Sequence, residues 1–340
     1  MSRVLGPCRA ALAAVILIGA ALAAALPAGA VELRLSHFMS RQHIMYRGLL
    51  EPWAAAVAKA THGAVRVRIF SAGEMGTGAR SQYSRAIDGI VDIAFGVQGY
   101  TSAQFPGTLL IELPGVAPTS AEATRMLWRG LKGPLAREYR RVKVLGLFTN
   151  APALIMTREK PVRRLEDMTG LKIRVASAQS ARIVEAWGAS PVSMAGSEVY
   201  LALQTGVIDG VMMGASGIVP FRLTEVARYY THGLPLAVSA FFVVANRASW
   251  ARLTPADRDA VDRLSGLPFS LKANRLFLED ATQGLARVKG DARLELIELD
   301  ATEVARFRAA AERVWQQAAA ALKRRQRDAA GILNAMTGHP

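Results

Sequence analysis

The sequence has few of the residues on which most secreted enzymes and metal proteins depend. Its 340 residues include one cysteine, Cys8, and five histidines. It contains no Gly-x-Ser-x-Gly elbow, no His-Glu-x-x-His motif and no zinc-ligand spacing. With Cys8 so near the start, the rest of the chain can form no disulfide, thiolate metal site or cysteine nucleophile. These absences disfavour hydrolase and thiol chemistry, and we expect no catalytic residue and no cofactor.

Long apolar runs are also scarce, and the one that stands out is Ala10–Leu26. Arg3 and Arg9 precede it, and Ala28-Gly29-Ala30 follows as a cleavage site of small residues. This order is typical of a secretory signal peptide, which we predict over residues 1–30. A retained anchor is the alternative, but no basic stop-transfer flank follows the run. We therefore expect export to the periplasm.

Basic residues outnumber acidic ones, and the formal net charge is +15. The predicted signal peptide holds two arginines and no acid, which leaves +13 on the mature chain. DNA binding needs a concentrated basic face or a recognised motif, whereas here the arginines are scattered. We therefore expect no nucleic-acid partner, and we interpret the charge as general steering of anions and as solubility.

The pattern of apolar residues predicts an α/β chain. Alternation predicts strands at Glu32–Phe38 and Val65–Phe70, with a helix over Met45–Thr61 between them. A buried strand at Ile90–Phe95 follows a second helix. Two successive strand–helix units favour a parallel sheet.

Further along the chain, short apolar runs and capping signals continue the pattern. Strands are predicted around Leu109–Leu113, Val142–Phe148 and Val238–Ala245. Helix starts are predicted at Thr119 with Glu122, at Thr254-Pro255, and at Asp300, where the last long helix begins and runs to about Arg327.

The stretch 165–220 predicts two strand–loop–helix units that meet at one crevice. Leu171–Val175 is a predicted strand with Arg174 at its carboxyl end, and Ser177 or Ser180 can cap the helix that follows. Ser197 can cap the second helix. Open α/β sheets bind ligands at such crevices.

The motifs of this stretch resemble a known family. LKIRV, followed by GASPVSMAGSEVYLALQTGVIDG, is similar to the core signature of the periplasmic solute receptors of TRAP transporters, the DctP-like family. The segment 55–76, AAVAKATHGAVRVRIFSAGEMG, resembles the family's N-terminal helix, strand and turn. The similarity covers nearly all of the chain after residue 30.

The resemblance implies a two-lobed periplasmic-binding-protein fold with a ligand crevice between the lobes and long C-terminal helices. Lobe I is then expected at 31–149 plus about 237–281, and lobe II at 150–236 plus about 282–328, with a tail at 329–340. The crossing loop 149–152 is the expected hinge.

The resemblance also assigns the family's carboxylate-binding arginine to Arg174. A guanidinium presents a rigid fork of donors that matches a carboxylate and stays charged at any relevant pH. From the residues alone, a structural ion pair with Glu198 is the alternative.

Compared with the sialic-acid receptors of the family, five pocket positions of this chain lose polarity or bulk. They are Phe38 (asparagine there), Val97 (an acid), Pro152 (a second arginine), Gly196 (an aromatic residue) and Met213 (asparagine). The resemblance thus implies a roomier, more apolar pocket for one carboxylate on a hydrophobic or aromatic body. Some relatives hold a metal ion with residues after Asp-Gly. Here that segment is Val211-Met212-Met213, and no carboxylate cluster offers a cage, so we expect no metal.

The remaining candidates are loop residues near strand ends: His37, Gln98, Tyr100 and Asn150. His37 and also His43 can bond a ligand hydroxyl or keto oxygen, although a structural histidine is the alternative for each. Core packing is the alternative for Phe38, Met213 and Phe241.

The leading hypothesis is an extracytoplasmic receptor that binds a small organic acid and delivers it, as a monomer, to TRAP membrane subunits. One alternative is a ligand-sensing partner of a membrane signalling protein. Neighbouring genes for a large and a small membrane subunit would favour transport. A secreted enzyme on the same scaffold is the second alternative, and turnover of a bound acid would favour it.

Overall fold

The computed structural model describes residues 30–75, 78–235 and 238–338. The predicted signal peptide, apart from its last residue, lies outside these ranges. Within them, no helix is both long and apolar enough to cross a membrane.

Two sheets, one in each lobe, organise the chain. In chain order the strands of the described ranges are β1 (Val31–Ser36), β2 (Val65–Phe70), β3 (Ile93–Val97), β4 (Val142–Thr149), β5 (Ala153–Thr157), β6 (Lys172–Val175), β7 (Ser190–Ser193), β8 (Gly210–Gly214), β9 (Tyr229–His232), β10 (Ala240–Asn246) and β11 (Glu295–Glu298). The first lobe has the order β2-β1-β3-β10-β4, and the second has β11-β9-β5-β8-β6-β7.

Helices cover both sheets. Those of the described ranges are α1 (Glu51–Ala60), α2 (Gln82–Ile87), α3 (Ser120–Leu131), α4 (Ala178–Ala186), α5 (Val199–Gln204), α6 (Arg247–Ala251), α7 (Pro255–Arg263), α8 (Gly266–Lys289), α9 (Ala301–Lys323) and α10 (Ala329–Thr337). A π-helical turn, Met45–Leu50, leads into α1, so the predicted N-terminal helix is present in two parts.

The sheet of the first lobe is mixed rather than purely parallel. β1 pairs in parallel with β2 and β3, as the strand–helix repeats predict. β10, however, returns from the second lobe and inserts antiparallel between β3 and β4. That insertion depends on a long-range crossing, which local periodicity does not encode.

Two local predictions were wrong. The run at 109–113 forms a tight helical turn, Thr108–Glu112, instead of a strand, and all five of its residues are buried. A short apolar run of this kind fits a buried turn as well as a strand. Ser197 caps no helix: the Glu198 carboxylate instead accepts a hydrogen bond from the Ala195 N–H (2.9 Å) in the turn before α5.

Other caps follow the sequence. The Ser177 hydroxyl caps α4 by accepting from the Ser180 N–H (3.0 Å). Thr119, Thr254 and Asp300 cap α3, α7 and α9 through the backbone N–H three residues on. These contacts satisfy donors that a helix leaves free at its first turn.

The C-terminal helices bind the two lobes together. α9 packs on the second lobe, where the Trp187 indole meets the Phe307 ring edge-on at 5.1 Å. The chain then crosses to the first lobe, where α10 buries Ile332 and Met336 beside α3. The segment expected as a tail therefore contains a packed helix. The exact lobe boundaries stay a prediction.

Candidate functional site

A cavity lies between the lobes, beside the carboxyl ends of β3 and β6. Its volume is about 60 Å³, which is several times the volume that one water requires. Whether the pocket is roomier than that of the sialic-acid receptors stays a prediction. The wall consists of Phe38, Met39, His43, Val97, Tyr100, Asn150, Arg174, Ala176, Gly196, Met213, Ser216, Gly217, Phe221, Ser239, Phe241 and Phe277.

Arg174 lies on β6 and is only 2% exposed. Its Nε donates to the Met194 carbonyl (3.0 Å), and one Nη donates to the Tyr100 hydroxyl (3.4 Å). No carboxylate within the described ranges comes within 4.0 Å of the guanidinium. The alternative contact ion pair with Glu198 is therefore absent, although Glu198 still attracts Arg174 from a longer distance and opposes the lowering of its pKa. Burial lowers the pKa of Arg174, yet an arginine starts so high that the group remains a cation.

The Tyr100 hydroxyl joins the two lobes across the cavity. Tyr100 follows β3 in the first lobe, and its hydroxyl accepts a second hydrogen bond from the Gly196 N–H (2.8 Å) of the second lobe. Its ring packs edge-on against Phe38, with 5.8 Å between centroids. Tyr100 thus contacts Arg174, which is the one cation among the described wall residues, and one side of the aromatic lining.

The rest of the wall is largely aromatic. Phe241 and Phe277 lie 4.9 Å apart between centroids, so Phe241 both packs in the core and borders the cavity. A Cβ added at Gly196 would lie 3.0 Å from the Phe221 ring and 3.5 Å from the Tyr100 hydroxyl. The space beside this glycine is thus occupied by Phe221 and Tyr100.

The two candidate histidines have different roles. His43 Nδ1 accepts from the Met45 N–H (3.1 Å), and burial lowers its pKa to about 3, so the ring is neutral with its proton on Nε2. On the cavity wall it is a neutral hydrogen-bond donor. His37 Nδ1 accepts from the Met39 N–H (3.2 Å) and its Nε2 lies 3.0 Å from the Ser71 hydroxyl, so both nitrogens are used inside the fold.

Asn150 lies where the chain crosses between the lobes. Its Oδ1 accepts from the Ser239 N–H (2.7 Å), and its own N–H donates to the Ser239 carbonyl (3.2 Å). These two hydrogen bonds join the two segments of the chain that cross between the lobes. The Nδ2 group makes no hydrogen bond to another described residue, so it is a second neutral donor at the wall.

Seven of the ten predicted ligand-binding residues lie on the wall: Phe38, Val97, Tyr100, Asn150, Arg174, Gly196 and Met213. His37, Gln98 and Pro152 do not. Gln98 is buried on the opposite side of the chain from Val97, with its Nε2 donating to the Tyr139 hydroxyl (3.2 Å). Pro152 is exposed on the crossing loop. Successive residues of an extended chain point to opposite sides, which separates Val97 from Gln98.

Several wall residues were missed from the sequence: Met39, Ala176, Ser216, Gly217, Phe221, Ser239 and Phe277. Phe277 belongs to the buried stripe of α8, which has the pattern of ordinary core packing. No local signal distinguishes a core phenylalanine from one that borders a cavity.

No group of three or more side chains in the described ranges is arranged to hold a metal ion. The wall therefore offers one cation, several neutral donors and a large apolar area. This combination suits a ligand with one anionic group and an apolar body.

Comparisons with known proteins identify the family and the fold. The family model described as "Bacterial extracellular solute-binding protein, family 7" (DctP) matches residues 35–321. The C4-dicarboxylate-binding periplasmic protein DctP of Rhodobacter capsulatus is 32% identical over 185 residues, which is 50% of this chain and 53% of that protein.

Two solved structures are similar over nearly the whole chain. A TRAP solute binding protein from Rhodoferax ferrireducens T118, in complex with copurified benzoate, has a TM-score of 0.87 at 25% identity, covering 91% of this chain and 97% of its own. A TRAP periplasmic solute binding protein from Bordetella bronchiseptica, with bound (R)- and (S)-mandelate, has a TM-score of 0.83 at 30% identity, covering 91% and 98%.

Proposed function

Because the chain belongs to family 7 of the bacterial extracellular solute-binding proteins, we propose that it binds an aromatic monocarboxylate in the periplasm and delivers it to TRAP membrane subunits. The family and the fold are those of transport receptors. The choice of solute class is our own inference, and it rests on the chemistry of the wall.

One observation carries the proposal: Arg174 is a buried cation without a carboxylate partner. A charge removed from water costs several kcal/mol unless an opposite charge or hydrogen bonds compensate it. Met194 and Tyr100 supply two acceptors but no negative charge. A ligand carboxylate supplies it, and a guanidinium can hold both oxygens in parallel bonds.

The remaining wall limits the rest of the solute. His43 is neutral, so within the described wall Arg174 is the sole cation, which fits one carboxylate rather than two. Phe38, Phe241 and Phe277 offer apolar faces on which an aromatic ring can pack. The Nε2 of His43 can donate to a hydroxyl or keto oxygen on the solute.

The proposed cycle uses contacts from both lobes. Arg174 and Gly196 belong to the second lobe, while Phe38 and His43 belong to the first. A solute that touches both sets stabilises the closed state, and release requires the lobes to part.

The proposal is tested by a thermal-shift and calorimetry screen of protein refolded to remove carried-over ligand. The panel contains benzoate, mandelate, succinate and N-acetylneuraminate. We expect benzoate or mandelate to raise the melting temperature, because a ligand that binds only the folded state stabilises it by mass action. Succinate is included because of the dicarboxylate-binding relative.

Arg174→Met is the diagnostic variant, and Arg263→Met, which removes an exposed arginine, is its charge-matched control. The control should bind as the unmodified protein does. Tighter binding of succinate or N-acetylneuraminate than of the aromatic acids would overturn the solute class. Full affinity in Arg174→Met would overturn the anchor.

A further inference from the structure

The first lobe carries a second recess, of about 510 Å³, that shares no residue with the ligand cavity. We call it the arginine groove. Its lining is Tyr83, Ile87, Ala103, Gln104, Pro106, Arg137, Glu138, Arg140, Arg141, Arg325 and Arg327. Five of these eleven residues are arginines and one is acidic, so the groove has a strong positive surplus.

The single acid of the groove is already neutralised. Glu138 forms a buried ion pair with Arg327. Its carboxylate also accepts from the Gly107 N–H (2.7 Å), the Thr108 N–H (3.0 Å) and the Thr108 hydroxyl (2.6 Å). With these donors in place, Glu138 has little capacity left to attract the arginines at the rim.

Four arginines therefore remain at the rim, and all four are exposed. Arg137 and Arg140 form no ion pair with another described residue. Arg141 lies 4.0 Å from Asp88, and with both side chains more than half exposed this pair contributes little. Arg325 donates to the Ala103 carbonyl (2.8 Å), which fixes its position without changing its charge.

Buried contacts hold the floor of the arginine groove in place. The Tyr83 hydroxyl donates to the Glu138 carbonyl (2.8 Å), and the Tyr83 ring packs on Phe105 at 4.6 Å. A Cβ added at Gly107 would lie 2.7 Å from an Nη of Arg327, so the chain approaches the buried ion pair closely here. The rim arginines thus surround a floor that is partly apolar and held by buried contacts.

We propose that the arginine groove docks an acidic peptide segment of a partner protein. Arginine forks match discrete carboxylates in bidentate geometry, as in other sites that recognise acidic motifs. The concave shape and the partly apolar floor favour an inserted chain over the diffuse field of an anionic membrane. The four cations also differ from the ligand cavity, where Arg174 is the one cation among the described wall residues.

The test measures binding of a fluorescein-labelled oligo-glutamate peptide of about six residues by fluorescence anisotropy, with oligo-glutamine as the neutral control. The groove variant is Arg137→Gln/Arg140→Gln/Arg141→Gln. The matched control is Arg66→Gln/Arg263→Gln/Arg313→Gln, which removes the same charge from exposed positions elsewhere. Titrations at low salt and at about 150 mM NaCl separate screened from close contacts.

We expect the groove variant to lose about tenfold or more in peptide affinity, and the control less than about threefold. Equal losses in both variants would overturn the proposal in favour of a nonspecific charge effect. Preferential binding to phosphatidylglycerol vesicles, abolished by the groove variant, would assign the groove to the membrane instead. Both variants should keep the melting temperature of the unmodified protein, which shows that they are folded.

Discussion

Arg174 and Arg327 are both buried arginines, but their surroundings differ in one respect. Arg327 is 8% exposed and is paired with Glu138, which is itself buried. Arg174 is 2% exposed and has only a carbonyl and a hydroxyl as acceptors. The fold places a carboxylate in contact with Arg327, whereas no carboxylate of the described residues lies within 4.0 Å of the Arg174 guanidinium.

This difference separates a structural charge from a ligand-binding one. A buried ion pair is closed, and removing either partner leaves the other without compensation. A buried cation without an anion keeps an unused interaction energy that a ligand can use.

Arg327→Met should lower the free energy of unfolding by about 3–5 kcal/mol, because it leaves the Glu138 carboxylate buried without its partner. Urea unfolding measures the effect. The double variant with Glu138→Gln should recover a large part of the loss. If Arg327→Met alone costs less than about 1 kcal/mol, the pair is not the structural element that we describe.

Arg174→Met should not lower the free energy of unfolding as Arg327→Met does, and it should abolish binding of the solute. Removing a buried charge that lacks a partner should leave the free energy of unfolding unchanged or raise it by up to about 2 kcal/mol. Affinity for the solute should fall by about 100-fold or more, as measured by calorimetry. A strong loss of stability in the ligand-free variant would place Arg174 in the same class as Arg327.

Glu112 is a buried acid that, like Arg174, has no oppositely charged side chain in contact with it among the described residues. Its carboxylate accepts from the Ser177 hydroxyl at the start of α4 and from the Ala240 N–H (3.1 Å) at the start of β10, so it links both lobes. No arginine, lysine or histidine of the described ranges forms an ion pair with it. Burial raises its pKa from 4.5 to about 7.

The sign of the resulting pH effect follows from proton binding. Between these two pKa values the folded protein holds a proton that the unfolded chain releases, so the stabilisation is complete below about pH 4.5 and is lost as pH rises through about 7. Between about pH 5 and pH 8, the unmodified protein should lose about 2 kcal/mol more than Glu112→Gln. Urea unfolding at both pH values measures this difference, and parallel pH profiles would contradict the assignment.

His37 and His43 make the stability of the protein rise with pH, which is opposite to the effect of Glu112. Because both histidines are present in the unmodified protein and in Glu112→Gln, their effect cancels when the two pH profiles are compared. Burial lowers their pKa values to about 4 and about 3, so the folded protein binds fewer protons than the unfolded chain. Their stabilisation is present above about pH 6.5 and is lost as pH falls toward the lowered values.

Tyr100→Phe should give the smallest effect, because it removes one hydroxyl and keeps the ring against Phe38. The Gly196 N–H and one Nη of Arg174 then lose an acceptor, which should cost about 1 kcal/mol of unfolding free energy. Solute affinity should change by less than about tenfold, since a bound carboxylate can replace the hydroxyl as acceptor for Arg174. A loss as large as that of Arg174→Met would make Tyr100 a ligand-binding residue in its own right.

The amino-acid sequence determined the features that depend on neighbouring residues. Thr119, Ser177 and Thr254 cap helices because a side-chain oxygen and a backbone N–H three residues on are brought together by any helix start. The family signature placed Arg174 on a strand beside the crevice, since motif and spacing lie within one continuous stretch. The two-lobed fold and the transport class followed from the same resemblance, and the comparisons bear both out.

Only the tertiary structure decided which groups meet across long separations. Glu138 and Arg327 are 189 residues apart, and nothing near either one predicts that they pair. Phe221 and Phe277 reach the cavity through loop and helix packing, although each looks like ordinary core in the sequence. The same holds for Val97 and Gln98, where the direction of the chain turned one side chain to the cavity and its neighbour to the core. Whether a buried charge has a partner depends on packing between distant elements, and here that packing distinguishes a structural arginine from a ligand-binding one.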